Sequence, residues 1–215
     1  MSRGKFIVID GMDGSGKGTQ LALLHSKLSH LDVVYTREPG GNGVESAEFI
    51  RSLLLNPDKF NFTSNPLCDF FLFFASRALH IEQLVEPMRS AGRHVITDRY
   101  DSSTLAFQLY GERQDFRQLF IQVRTNLPAY FMPDAYIILD LPPEVAYHRR
   151  AQDAAQEKSR FDLKPLEYHQ SVREGFKMLR SMIELPETVH LLDANRPKEE
   201  LHEELSSLVL KIISS

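Results

Sequence analysis

Tryptophan is absent, and cysteine occurs once, at Cys68, so the 215-residue chain can form no internal disulfide. A lone thiol suits a reducing compartment. No apolar run approaches the roughly 18 residues of a membrane span. Near the N-terminus, Phe6-Ile7-Val8-Ile9 meets Asp10 at once, too short a core for a secretory signal. These absences set the expectation of a cytoplasmic protein with no membrane partner. Positive charge is not in excess either. Lys and Arg number 25 against 29 Asp and Glu, a net charge of −4. That argues against a broad nucleic-acid surface and leaves room for a local basic pocket. No repeat period and no low-complexity stretch occurs.

What remains is an ordinary globular composition, 42% hydrophobic and 25% charged, which excludes disordered, collagen-like and coiled-coil classes. The length fits one domain over 1–215, able to bury roughly 70% of its unfolded surface. Short β-branched runs alternate with longer helical patterns. Strands are expected over 5–10, 33–36, 94–98, 135–140 and 188–192, each nearly continuously apolar, as in a parallel sheet covered on both faces. Helices are expected over 19–29, 44–55, 66–91, 103–127, 143–155, 165–184 and 197–213. Prolines at 66, 143, 165 and 197 suit first helical turns. This alternation predicts an α/β, three-layer αβα fold with a five-stranded parallel sheet and right-handed crossovers.

The strongest local signal is Gly11-Met12-Asp13-Gly14-Ser15-Gly16-Lys17-Gly18-Thr19, between a strand and a helix. That is the setting of a P-loop, a site for a nucleoside triphosphate. Glycines let backbone N–H groups face a phosphate, the helix N-terminus adds partial positive charge, and Lys17 adds a mobile one. Position 18 is Gly, where the usual pattern has a hydroxyl that binds Mg²⁺. A second strand ends in Asp98, where P-loop enzymes place an acid that holds Mg²⁺ or its water shell. Read alone, the glycine segment could be a helix cap and Asp98 a turn residue.

Four separated motifs together resemble the thymidylate kinases of the nucleoside monophosphate kinase group. They are Asp10 through Lys17, Thr36-Arg37-Glu38-Pro39-Gly40-Gly41, Phe73-Phe74-Ala75-Ser76-Arg77, and Asp98-Arg99-Tyr100 continuing to Gln108. Asp140-Leu141-Pro142-Pro143 and Asp193-Ala194-Asn195 look like further landmarks. The resemblance runs through nearly the whole chain. It implies ATP-dependent phosphorylation of dTMP to dTDP, with Mg²⁺ as cofactor and a homodimer as the assembly. It further implies that Phe73 stacks on thymine and Arg77 bonds its O4, while Thr104 and Gln108 contact the base. Arg99 would clamp the acceptor phosphate, with Arg37, Glu38 and Arg51 nearby. Asp13 would lie near the 3′-hydroxyl, and Phe107 would exclude a ribose 2′-hydroxyl by bulk.

Gly14 stands where one branch of the family has a P-loop arginine. Basic residues appear instead at Arg149, Arg150, Lys158 and Arg160, as in the branch whose lid carries the catalytic arginines, with the lid here about 149–162. The resemblance places Arg149 against adenine and makes Arg150 or Arg160 catalytic beside Lys17 and Arg99. From the residues alone, Arg149-Arg150 could be a solvated helix end, Arg37 to Gly41 only a turn, and Phe73 core. The i, i+4 spacing of Phe73 and Arg77 favours a shared, site-facing surface. The eight histidines have no metal-ligand spacing, no His or Cys is needed for phosphoryl transfer, and Cys68 reads as core. The alternatives are another pyrimidine nucleotide kinase or a P-loop ATPase switch. The helix over 66–91 carries more apolar residues, notably Leu67, Phe70, Phe71, Phe74 and Leu84, than one face can hide, which points to an interface.

Overall fold

The computed structural model describes residues 2–152, 164–182 and 188–215. Five parallel strands, Phe6–Gly11 (β1), Val33–Arg37 (β2), His94–Asp98 (β3), Ala135–Asp140 (β4) and Val189–Asp193 (β5), form one sheet in the order β2-β3-β1-β4-β5. Every residue of β1 is buried, and so is all of β4 but its last residue. Their unbroken apolar runs are what a strand covered on both faces requires. Helices flank the sheet. Lys17–Lys27 (α1) packs against Lys198–Ser214 (α9), with Gln20 Nε2 donating to the Lys198 carbonyl at 3.0 Å.

Glu45–Leu55 (α2) packs against Pro66–His80 (α3). The helix expected over 66–91 runs on through a π-helical stretch, Ile81–Val85, into Glu86–Ser90 (α4). Pro87 has no N–H to continue the regular ladder, and the wider spacing falls directly before it.

The helix expected over 103–127 is not one helix. It divides into a single turn, Asp101–Ser103 (α5), a π-helix, Thr104–Gly111, and Arg117–Asn126 (α6). Arg113, at a left-handed φ of 52°, makes the break. The chain then doubles back, so that Arg124 Nε reaches Asp101 Oδ2 at 3.0 Å while Tyr136 donates to Oδ1 at 2.7 Å. Pro143–Gln152 (α7) and Leu166–Met182 (α8) complete the fold. The ends of the helices expected over 143–155 and 165–184 lie partly outside the described residues.

α8 packs closely on the π-helix. A Cβ on Gly175 would sit 2.7 Å from Ala106 Cα, so only glycine permits this approach. The carboxyl ends of β1 and β3 therefore open between the P-loop on one side and α3, the π-helix and α8 on the other. The connection direction reverses beside β1, where ligands of open α/β sheets bind.

Candidate active site

The loop between β1 and α1 turns through Gly14 at φ 84°. A Cβ there would stand 2.6 Å from the Ala146 carbonyl oxygen, so the turn requires glycine twice over. Lys17 is buried at the start of α1, and its Nζ donates to the carbonyls of Gly11 at 2.8 Å and Met12 at 3.1 Å. Burial and the nearby Arg99 push its ammonium below the ordinary value, against the pull of Asp13, Asp98 and Asp10. Gly18 and Thr19 follow on the exposed side.

Arg99 follows β3 with a left-handed φ of 71°, rare for a residue with a side chain. Its N–H bonds the Ile9 carbonyl at 3.0 Å, and its guanidinium supplies the compensation for that conformation. One terminal nitrogen donates to Asp13 Oδ1 at 2.6 Å. The other reaches Asp10 Oδ1, the Gly11 carbonyl and Ser103 Oγ at 3.1–3.3 Å. Burial alone would lower the Arg99 pKa, but Asp13, Asp10 and Asp98 outweigh it and raise it. Burial alone would raise Asp13, but Arg99, Lys17 and Arg150 hold it below the usual carboxylate value. Asp10 is fully buried, which raises its pKa despite Arg99, Lys17, the Ser102 hydroxyl and the Gly11 N–H. It ties α5 to the P-loop through Ser102 and Ser103.

Arg77 projects from α3, 2% exposed. Its Nε donates to Glu38 Oε2 at 2.9 Å and one terminal nitrogen to Thr104 Oγ1 at 3.2 Å. The guanidinium lies between the rings of Phe74 and Tyr100, 4.8 and 4.9 Å from their centroids. Its remaining nitrogen is buried without a partner, and so is Gln108 Oε1. Both residues line a cavity of about 200 Å³, together with Asp13, Glu38, Arg51, Phe73, Arg99, Thr104, Phe107 and Arg150.

A family model described as thymidylate kinase matches residues 9–205. The chain is 34% identical over 212 residues to a thymidylate kinase of Clostridium novyi, covering 97% of this chain and all of that protein. It is 37% identical over 202 residues to one of Pelotomaculum thermopropionicum (93% and 90% covered), and 37% over 211 to one of Symbiobacterium thermophilum (97% and 94%). The chain belongs to the thymidylate kinase family.

Among the acceptor residues that the family resemblance names, Arg37 alone is absent from the cavity lining. Its guanidinium turns to Glu48 at 3.2 Å. Arg51 donates to the Pro39 carbonyl at 2.8 Å. Thr104 holds Arg77 with its hydroxyl. Arg149 donates to the Ala194 carbonyl at 3.2 Å. Lys158 and Arg160 lie outside the described residues. Cys68 is only half-buried, in the first turn of α3, which corrects its reading as core. Asp98 Oδ1 is buried and has no partner, so one acidic oxygen is available for a cation at the carboxyl end of β3. Among the described residues no cluster of three His, Cys, Asp or Glu forms a dedicated metal cage.

Sequence reasoning overlooked His80 and Asp10 as parts of this site. Asp10 was legible as the strand-end acid beside the P-loop. His80 stands four residues after Ser76 on the α3 face that also carries Arg77, a placement that helical spacing alone could have raised.

Proposed function

We propose that this member of the thymidylate kinase family transfers the γ-phosphoryl group of ATP to the phosphate of dTMP. A dTMP phosphate oxygen bonds the γ-phosphorus, the β–γ bridging bond breaks, and dTDP and ADP leave. The observation that carries this reading is the cavity in which Phe73, Arg77, Thr104 and Gln108 stand beside Arg99 and Asp13, next to the P-loop. The unpartnered Arg77 nitrogen is a donor, and Gln108 Oε1 is an acceptor. That pair fits the O4 carbonyl and N3–H of thymine. Cytosine would bring an amino group to the donor and a bare nitrogen to the acceptor, leaving buried groups unpaired, a costly mismatch.

The protein's work is positioning and charge neutralisation. The P-loop backbone and Lys17 hold the donor phosphates, Arg99 and Arg51 hold the acceptor phosphate, and Arg150 approaches the cavity from α7. Asp98, with its unpartnered Oδ1, would hold Mg²⁺ or its water shell. Mg²⁺ bound there with ATP supplies neutralisation of phosphate charge. In this reading the chain is one domain, and residues 149–162, of which 153–162 lie outside the described residues, serve as the lid that excludes water.

Supporting a homodimer, Phe49 is 59% and Phe71 50% exposed, and Leu67 and Phe60 are also exposed, all on or beside α2 and α3. Light scattering at micromolar concentration should give twice the chain mass. The setting we propose is cytoplasmic. Among the described residues no helix is long and apolar enough to cross a membrane. The deciding assay couples ADP release to acceptor addition, comparing dTMP with dUMP, dCMP and GMP. Turnover with dTMP far above dCMP is expected. ATP hydrolysis indifferent to every acceptor would overturn the reading.

A further inference from the structure

His80 is fully buried at the end of α3, outside the cavity lining. Its Nδ1 lies 2.9 Å from Glu38 Oε1, and its Nε2 lies 2.9 Å from Thr36 Oγ1. A carboxylate only accepts, so Nδ1 carries the proton, and in the neutral ring Nε2 accepts from the Thr36 hydroxyl. Glu38 thus has each oxygen fixed, one by His80 and the other by Arg77 Nε at 2.9 Å. The ring also underlies the loop itself, because a Cβ on Gly41 would come within 2.9 Å of its Cδ2. One turn back on the same helix, Ser76 Oγ accepts the Gly40 N–H at 3.0 Å. Without His80, Glu38 could rotate, and the guanidinium would lose the partner that sets its angle between Phe74 and Tyr100.

We infer that His80 is a positioning residue for acceptor recognition: its Nδ1–H orients Glu38, and Glu38 aims Arg77 at the base. This inference rests on the proposed reaction for its kinetic consequence but not for its structural one. Metal ligands held in shape by outer hydrogen bonds show the same dependence of a contact group on its support.

Two substitutions separate this role from space filling. In His80→Asn the side-chain amide nitrogen stands near the place of Nδ1 and keeps the bond to Glu38. In His80→Gln the amide reaches toward Thr36, near the place of Nε2, and leaves Glu38 Oε1 unpaired. Two readouts are taken on the full chain. The first is kinetic: His80→Gln should raise the KM for dTMP about tenfold or more, while His80→Asn stays within about threefold of the parent and the KM for ATP holds in both. The second is the NMR signal of the Arg77 Nε–H, whose solvent exchange should be slow in the parent and His80→Asn and fast in His80→Gln.

Equal KM for dTMP and equal Arg77 protection in both variants would overturn the inference. So would a rise in both Michaelis constants that merely follows a fall in Tm. If the parent protein does not turn over dTMP, the proposed reaction fails. The Arg77 exchange contrast still decides whether His80 holds the Glu38–Arg77 pair.

Discussion

Arg77→Lys tests the pyrimidine edge more cleanly than truncation to alanine. Alanine would strand the Glu38 carboxylate, 4% exposed, without its cation. Breaking a buried pair in that way costs about 3–5 kcal/mol and risks the fold itself. Lysine keeps a positive charge beside Glu38 but has one ammonium where arginine has a fork. The Nε and one terminal nitrogen of Arg77 are committed to Glu38 and Thr104, and only the third nitrogen is left without a partner. An ammonium that stays with Glu38 therefore leaves the base carbonyl without its donor. A charge-assisted hydrogen bond of this kind contributes about 1.5–3 kcal/mol, or roughly 12- to 150-fold in acceptor affinity. The measurement is the KM for dTMP at saturating ATP and the converse, with a thermal melt alongside. The KM for ATP should stay within about twofold, because the P-loop shares no contact with Arg77. A KM for dTMP within about threefold of the parent would refute the reasoning. So would an equal rise in both constants.

Lys17→Ala should cut kcat roughly a thousandfold with an unchanged melt, since a charge aimed at the transferring group acts mainly in the transition state; stopped-flow or coupled assays read this directly. Gly175→Ala places a methyl 2.7 Å from a backbone carbon of the π-helix. Its overpacking cost of about 1–3 kcal/mol exceeds the gain in helix propensity of at most ~1 kcal/mol, so Tm should fall and the KM for dTMP rise together. Arg150→Ala should lower kcat more than it raises the KM for ATP, while Arg149→Ala should chiefly raise that KM; steady-state kinetics on the two variants check the split.

The central strands β1 and β4 were legible because burial on both faces demands unbroken apolar runs, while the edge strands β2 and β5 are only partly buried. Across the five, the observed bounds match expectation at five of ten ends and depart by one residue at the other five. The P-loop was legible because its glycines are local necessities. The break at Arg113 was not, because the apolar spacing on either side still fits a helix. What stabilises the reversal is the meeting of Arg124, Asp101 and Tyr136, which no local pattern encodes. The two π-helical stretches are hidden for the same reason, since a shift of one residue leaves an apolar surface looking continuous. Phe73 and Arg77 could be paired by helical spacing. The contact of Arg77 with Glu38 joins residues whose proximity depends on where β2 ends against α3. His80 was passed over because a lone histidine in an apolar helix carries no chemical label until its two nitrogens have partners.

The place of β1 has a consequence for how the molecule is made. It leaves the ribosome well before its neighbours in the sheet, which begin at His94 and Ala135. Until those segments are synthesised, an unpaired strand carrying the apolar run Phe6-Ile7-Val8-Ile9 must wait, a stage at which nascent chains are prone to aggregation. The phosphate loop waits with it. Gly11 abuts the Leu139 carbonyl and Gly14 that of Ala146, so the walls that shape the loop arrive only with β4 and α7. The nucleotide cradle is thus encoded early and completed late, and nascent chains that end before β4 should be unable to hold a triphosphate.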